Sequence, residues 1–345
     1  MPVQLNHKDR FMFKRIAQAL LAAAVATTAS FAGDRISGAG ATFPAPLYYD
    51  WAYKYAKETR IRVNYQSIGS GGGIKQVSNR IVDFGASDKP LKTKKLAKLK
   101  LLQFPTVIGS IVVVFNVPGI GDEQLRLTNE NVADIFAGKI TVWNDPAIVK
   151  NNPGLKLPAK KIIVAHRADG SGTTYNFTYY LSQSSENWKN NFGTGKAIDW
   201  AVGIGGKGNE GVSSLIKQTP YSIGYVENAY KVKNGFSAAV LQTAGGKWVA
   251  AREENFKAAA KYAKWTKEDN FYALLALQPG DNSYPIVAAT FILLPKEKTG
   301  RNKKVVAFFD YAFRHGDAGA KKLGYIPLPE AVKNMIREYW AENIK

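Results

Sequence analysis

Three glycine-rich segments carry hydroxyl side chains where helices are predicted to begin. They are residues 38–45 (GAGATFPA), 69–75 (GSGGGIK) and 170–174 (GSGTT), with Thr42, Ser70 and Ser171 near the helix starts. The first N–H groups of a helix have no partner inside it, and the helix dipole favours negative charge there. Glycine also lets a ligand approach the backbone closely. Three such starts facing one point would bind an anion with neutral donors, although each by itself could be a plain helix cap.

Charged residues beside these segments indicate which kind of anion the predicted site would bind. Arg167 offers a planar guanidinium that can hold an oxyanion with two hydrogen bonds, and Asp169 could keep it in place. Asp88, in FGASDKPL, is an acceptor of hydrogen bonds only when it is ionised. It would suit a protonated phosphate, whereas fully ionised sulfate would leave two acceptors facing each other. The alternatives are a surface ion pair for Arg167 and Asp169, and a turn residue for Asp88.

The N-terminal segment has the parts of a secretory signal peptide. Basic residues precede an apolar run over residues 16–26, and small residues at Ser30 and Ala32 fit a cleavage site. We predict a signal peptide over residues 1–32, with Ala29 as a second candidate for the cleavage position. The alternative is a membrane anchor, but the apolar run is shorter than the ~20 residues that a spanning helix needs.

The absence of cysteine and the strong basic balance bound the protein's environment. Without cysteine there is no disulfide and no lipid on an N-terminal cysteine, which favours a soluble periplasmic protein over a tethered one. Free secretion is the alternative. Residues 1–32 hold four basic residues and one acidic residue, so +17 of the net charge of +20 belongs to the remainder. This surplus attracts anions at long range. The basic runs at residues 92–98 and 296–304 lack interleaved aromatic residues, so nucleic-acid binding is disfavoured.

Strand-like and helix-like segments alternate along the chain, which predicts an α/β protein. Residues 44–59 fit a helix and residues 61–65 a strand. We predict that a glycine-rich turn follows, with a short helix over residues 74–79 and a strand near residues 82–86.

Two long apolar runs predict crossings between two lobes. Residues 104–115 and 284–294 are rich in β-branched side chains, and a proline introduces each run. A chain that leaves one lobe and later returns forms two lobes around a cleft. We therefore predict lobe I from residues 33–107 and 284–345, and lobe II from residues 108–283, with the two crossings acting as hinges.

Catalysis and nucleotide binding are the alternatives from other functional classes. His7 lies in the predicted signal peptide, His166 and His315 stand apart, and no metal-ligand spacing of histidine or cysteine occurs. A phosphatase would need a nucleophile or metal ions. Residues 203–208 (GIGGKG) fit G-x-G-x-x-G, but without an evident strand–helix context we predict a structural loop. No cofactor is expected.

Nine motifs resemble those of the periplasmic phosphate-binding proteins of high-affinity phosphate ABC transporters. The resemblance extends from about residue 36 to the C-terminus. It implies a type II periplasmic binding fold whose two lobes close over one phosphate, and it implies docking on the permease subunits of the transporter. The motifs are GAGATFPAP (38–46), IGSGGGIKQV (68–77), DFGASD (83–88), QFPTVIG (103–109), NPGLKLP (152–158), RADGSGT (167–173), GTGK (193–196), GGKGN (205–209) and IGYVE (223–227).

The same resemblance implies a role for each site residue. Asp88 would accept the proton of the phosphate, and Asp169 would orient Arg167. The protein would be a monomeric binding protein and not an enzyme; another oxyanion as ligand, arsenate included, and a secreted phosphate-ester enzyme are the alternatives. The implied phosphate donors are Thr42, the backbone N–H of Phe43, Ser70, Arg167, Ser171, the backbone N–H of Gly172, and Thr173.

Overall fold

The structure is a computed structural model that describes residues 35–344. The predicted signal peptide lies outside the described residues. The strands are β1 (Arg35–Gly40), β2 (Arg62–Ser67), β3 (Phe84–Ser87), β4 (Leu101–Asn116), β5 (Ile163–Arg167), β6 (Ile204–Gly206), β7 (Ser222–Glu227), β8 (Ser237–Ala238), β9 (Leu241–Gln242), β10 (Trp248–Val249) and β11 (Val287–Pro295). The helices are α1 (Ala45–Thr59), α2 (Ser70–Ser78), α3 (Thr93–Leu99), α4 (Asn129–Phe136), α5 (Pro146–Val149), α6 (Gly172–Ser184), α7 (Glu186–Asn191), α8 (Gly208–Gln218), α9 (Asn228–Asn234), α10 (Glu253–Ala260), α11 (Thr299–His315), α12 (Asp317–Lys322) and α13 (Glu330–Asn343).

A mixed sheet organises the described part of the chain. Its strand order is β2-β1-β3-β11-β4-β7-β5-β6, with β8 also paired to β4. Strands β2 and β3 run parallel to β1, and β6 and β7 run parallel to β5. Helices pack against this sheet, so the predicted α/β class is confirmed.

The long strand β4 joins two halves of the sheet. Leu101 to Ser110 pair with β11, and Ile111 to Asn116 pair with β7. Every residue of β4 except Asn116 is buried, which explains its continuous apolar sequence. We call β2, β1, β3 and β11 the first half, and β7, β5 and β6 the second half. The predicted crossing over residues 104–115 lies within β4, and most of the other crossing lies in β11.

Aromatic rings fill the core of the first half. Phe309 of α11 lies edge-on to Tyr48, Phe84 and Phe104, with ring centroids 5.7, 5.3 and 5.8 Å away. Trp340 of α13 covers Phe104 at 5.1 Å. Helices from both ends of the described chain are therefore held to the same sheet half, as a returning chain requires.

The parallel strands direct their carboxyl ends to the place where the two halves meet. In the first half, β1, β2 and β3 lead to Thr42, Ser70 and Asp88. In the second half, β5 ends at Arg167 and β6 leads to Gly208. Ligands of α/β sheets bind at the carboxyl ends of parallel strands, so this topology alone places the predicted residues at a favourable position.

One local prediction is wrong: the glycine-rich segment after β2 is not a turn. Helix α2 begins at Ser70, so the predicted start at residue 74 is too late. The reason is close packing, because a Cβ on Gly73 would lie 2.5 Å from the Cα of Gly40 and 2.8 Å from the carbonyl oxygen of Ala86. Glycine has a poor helix propensity, but here it lets the helix lie directly on the strands.

This contact predicts a large difference between two glycine substitutions. Gly73→Ala should lower the free energy of unfolding by ~1–3 kcal/mol, since its neighbours are backbone atoms that cannot rotate away. Gly300→Ala, in α11 with no atom within 4 Å of the new Cβ, should leave stability unchanged or raise it by up to ~1 kcal/mol. Urea denaturation of both variants measures the difference. Equal effects would contradict the packing argument.

Candidate functional site

The predicted site residues meet where the two halves of the sheet come together. The backbone N–H of Gly71 donates to the carbonyl oxygen of Gly170 at 2.6 Å, which ties the start of α2 to the start of α6. Asp88 and Thr173 are 1% exposed, and Arg167 is 4% exposed. The two halves are therefore in contact around the site, and water has little access to its polar groups.

Asp88 lies fully buried between donors from three elements. Its Oδ1 accepts a hydrogen bond from Thr290 Oγ1 at 2.7 Å, and its Oδ2 lies 3.4 Å from Ser70 Oγ. Its backbone carbonyl accepts from Asn176 Nδ2 at 2.7 Å. Burial raises the pKa of Asp88 to about 7, although the hydrogen bond from Thr290 and the charge of Arg167 act in the opposite direction. The carboxyl group therefore changes protonation near neutral pH.

Arg167 and Asp169 form a buried pair with two hydrogen bonds. Arg167 Nε donates to Asp169 Oδ1 at 2.8 Å, and Nη2 donates to Oδ2 at 2.6 Å. Burial works to raise the pKa of Asp169, but the hydrogen bonds and charge of Arg167 outweigh it and hold that pKa below its usual value. Nη1 donates to Thr173 Oγ1 at 3.1 Å, which aims the guanidinium at the start of α6. One hydrogen on each terminal nitrogen is left for another acceptor.

The segment between β1 and α1 is anchored through its carbonyl oxygens. Tyr230 donates to the carbonyl of Thr42 at 2.8 Å, and Tyr325 donates to that of Phe43 at 2.6 Å. The Phe43 residue is fully buried, and its N–H makes no hydrogen bond to any residue in the range 35–344. A buried donor without a partner is costly, so this N–H is suited to an acceptor supplied by a ligand.

The start of α6 combines a helix cap with free donors. Ser171 Oγ accepts from the Thr174 N–H at 2.9 Å, so the predicted cap is present. The hydroxyl proton of Ser171 can still be donated elsewhere. Gly172 leaves the space beside Asp88 open, because a Cβ there would lie 2.4 Å from Ser70 Oγ and 2.7 Å from Asp88 Oδ2.

The prediction that residues 203–208 form a structural loop is wrong. Strand β6 pairs in parallel with β5, and α8 begins at Gly208, so the segment is a strand-to-helix connection. The Gly208 N–H donates to Asp169 Oδ1 at 2.9 Å. The start of α8 thus supports the carboxylate that orients Arg167, and the short strand was missed because Ile204–Gly206 carries two glycines among its three residues.

Two further residues complete the site and were not predicted. Asn209 Nδ2 donates to Thr42 Oγ1 at 2.7 Å and to Thr173 Oγ1 at 3.3 Å, so it bridges the two halves. It belongs to the GGKGN motif, which was a signal that sequence reasoning could have used. Thr290 binds Asp88 from β11, but it lies inside an apolar run that gives no hint of a site.

Three observations bear on the alternatives of catalysis, metal binding and a membrane anchor. His166 stacks on Trp200 with ring centroids 4.8 Å apart, and burial lowers the pKa of its imidazole. Among residues 35–344, no group of three or more histidine or acidic side chains is placed to hold a metal ion. In the same range, no helix combines the length and the apolar character needed to cross a membrane.

Comparison with known proteins places the chain in a family. Residues 24–315 match the model of a PBP superfamily domain. The chain is 50% identical over 314 residues to the phosphate-binding protein PstS of Haemophilus influenzae, covering 90% of this chain and 94% of the relative. It is also 50% identical over 312 residues to PstS of Pasteurella multocida, covering 90% and 91%. The chain belongs to the PstS family of phosphate-binding proteins.

A solved structure supports the fold assignment within this family. The fold is similar to that of a high-affinity periplasmic phosphate-binding protein, PfluDING, solved with bound phosphate, with a TM-score of 0.72 and 20% identity. The match covers 88% of this chain and 93% of that protein. This likeness confirms the predicted two-lobed type II fold, and the relatives at 50% identity confirm the predicted family. The individual site residues stay predictions, now with a common location.

The raised pKa of Asp88 predicts a specific dependence of stability on pH. Its pKa rises from 3.8 to about 7 on folding, so the folded chain favours the protonated form. The stability that protonated Asp88 contributes to the folded chain is complete below about pH 4 and is lost as the pH rises through about 7. In phosphate-free buffer, the free energy of unfolding of wild type should fall between about pH 4 and pH 8 by on the order of 4 kcal/mol relative to that of Asp88→Asn.

Urea denaturation at a series of pH values measures this difference. The exposed Asp281→Asn serves as the control, because it removes a carboxylate without changing the site. Parallel pH profiles for wild type and Asp88→Asn would contradict the assignment of a raised pKa to Asp88.

Proposed function

We propose that this chain binds hydrogen phosphate between the two halves of its sheet and delivers it to the permease of an ABC transporter. The observation that carries the proposal is a buried carboxylate, Asp88, inside a site otherwise made of donors. Such a residue weakens binding of a fully ionised anion but pairs with an anion that carries a proton. Phosphate carries such a proton at neutral pH, and relatives that are 50% identical to this chain are named phosphate-binding proteins.

The two carboxylate oxygens of Asp88 have different partners in the proposed complex. Thr290 occupies Oδ1 at 2.7 Å, so that oxygen is satisfied by the protein. Oδ2 has only the long contact with Ser70 and faces the space beside Gly172. The O–H of hydrogen phosphate would donate to this Oδ2. Sulfate would instead bring an acceptor to an acceptor, and buried unpaired acceptors are penalised strongly.

Neutral hydrogen-bond donors would stabilise most of the negative charge of the ligand. The charge of Arg167 is balanced by Asp169 at 2.6 Å, so the pair adds direction more than net charge. The N–H groups of Phe43 and Gly172, the helix starts and the hydroxyl groups supply the rest. In a closed site without water, fixed dipoles of this kind stabilise an anion well. The proposed phosphate ligands are Thr42, Phe43, Ser70, Asp88, Arg167, Ser171, Gly172 and Thr173, with Asp169 as the orienting residue.

Delivery requires that the site opens and closes. We propose that lobe I (residues 33–107 and 284–345) and lobe II (residues 108–283) move about β4 and the segment that enters β11. Asn209 would hold the closed form through Thr42 and Thr173. Export by the signal peptide, a periplasmic location, a monomeric state and the absence of catalysis belong to the same proposal. The N-terminal sequence supports export, and relatives named as binding proteins support a role in binding.

The proposed recognition predicts a large preference for phosphate over sulfate. In calorimetric titrations of the ligand-free chain at pH 8, phosphate should bind at least ~100-fold more tightly than sulfate. Asp88→Asn should reduce this ratio, because the amide can donate to sulfate and can no longer accept from phosphate as a charged group. Equal affinity for the two anions in wild type would overturn the proposal.

The bridging role predicted for Asn209 can be measured separately. Asn209→Ala removes the side-chain bonds to Thr42 and Thr173, so phosphate should dissociate faster and bind about tenfold more weakly. The exposed Asn191→Ala, whose side chain bonds only to neighbouring Asn187, is the control. Stopped-flow kinetics would show the change in the dissociation rate. An unchanged rate in Asn209→Ala would mean that this residue does not hold the closed form.

A further inference from the structure

A cavity of about 810 Å³ lies beside the proposed phosphate site and is lined by both halves of the protein. One wall carries Lys89, Lys92 and Lys95, from the segment between β3 and α3 and from α3 itself. The other wall carries Lys189 and Lys196, from α7 and the loop after it. We call this cavity the lysine groove. Since its walls come from different halves, its shape depends on closure.

The lysine groove has no carboxylate in its lining. Lys189 pairs with Glu186 at 3.0 Å, but in residues 35–344 no ion pair involves Lys89, Lys92, Lys95 or Lys196. Burial lowers the pKa of Lys89, and the charges of Lys196, Lys92 and Lys95 lower it further. Like charges on opposite walls are therefore close enough to repel each other.

The inner surface of the lysine groove is aromatic and apolar. Tyr175, Tyr179 and Tyr272 line it together with Leu91, and Lys89 Nζ lies 4.5 Å from the centre of the Tyr175 ring. The volume falls in the range of small-molecule pockets, ~300–1,000 Å³, and exceeds what one phosphate needs. Lysine is a common partner of phosphate groups. A compact molecule with several phosphates matches both the size and the charge.

The two walls are connected directly to the phosphate site. Lys89 follows Asp88 in the chain, and the carbonyl oxygen of Lys196 accepts from the Ser171 N–H at 2.9 Å. Closure over phosphate therefore brings the two lysine walls together. Their repulsion opposes closure, and an anion between them would remove that opposition.

We propose that the lysine groove is a second anion site, for a small molecule with several phosphate groups, and that its occupant holds the two halves closed over the first phosphate. The coupling rests on the proposed function, because it requires closure that depends on phosphate. Coupling between two sites is reciprocal, so bound phosphate should also strengthen binding in the groove.

The first test titrates tripolyphosphate into the full chain saturated with phosphate, at constant ionic strength, by calorimetry. Saturation keeps the probe out of the phosphate site. Lys89→Gln with Lys196→Gln should weaken binding of the probe by about tenfold or more. The matched control is Lys321→Gln with Lys322→Gln, two exposed lysines of α12 that lie outside the groove, and it should change binding by less than about twofold.

The second test measures release of radiolabelled phosphate into an excess of unlabelled phosphate. Tripolyphosphate should slow release from wild type, which a competitor for the phosphate site could not do. Without the probe, Lys89→Gln with Lys196→Gln should also release phosphate more slowly than wild type, because the repulsion between the walls is gone. The control pair should release at the wild-type rate.

The outcomes separate this inference from the proposed function. Equal probe binding by the two double variants, or release that neither the probe nor the substitutions slow, would overturn the second site while phosphate binding stands. Failure of the chain to bind phosphate would overturn the proposed function itself. Adenosine triphosphate binding more tightly than tripolyphosphate would support the site and assign the tyrosine rings to a base; the reverse order would support an inorganic chain.

Discussion

The burial of Asp88 is the constraint on which the arrangement of the cleft depends. A carboxylate that is 1% exposed must have its oxygens satisfied by donors, and these come from separate parts of the chain. Ser70 begins α2, and Thr290 lies in β11 on the other side of β3. The need to satisfy one oxygen from the protein, and to leave the other for a ligand, explains why the first half of the sheet must bring β3 and β11 together.

The same constraint accounts for the connection between the halves. The strands that lead to Ser70 and Asp88 belong to the first half, whereas Arg167 ends β5 of the second half. A strand that continues through both halves fixes the positions of these groups along the sheet. Strand β4 has this property, since it pairs with β11 at one end and with β7 at the other. Its sequence is apolar and rich in β-branched side chains because the strand is buried in both halves.

Sequence reasoning recovered the features that are local in the chain. Capping chemistry located the helix start at Ser171, and the long apolar runs located β4 and β11. It failed where long-range contacts decide the structure. The helix over Gly71 to Gly73 exists because strands β1 and β3 pack against it, a contact that helix propensity does not contain.

The site residues that were missed show the same limit. Asn209 lay in a motif that had been noticed, but its role follows from reaching Thr42 and Thr173 at once, and the two lie in different halves. Thr290 gave no signal in the sequence, because threonine has a high β propensity and is common in strands. Its function depends on the register between β11 and β3, which places it beside Asp88.

The chain as a whole is strongly basic, whereas the proposed site has little net charge, and these two properties are compatible. In the proposed function, affinity comes from oriented N–H and hydroxyl groups, so it does not need the net charge of +20. In the proposed closing mechanism, lysines near the cleft have two opposite effects: they attract anions to the open protein, and they repel each other when the halves close. The first effect is screened by salt over about 10 Å, whereas charges on facing walls of a partly buried groove are screened less. Under this proposal, the balance between capture and closure is set by where the lysines lie, and not by how many the chain carries.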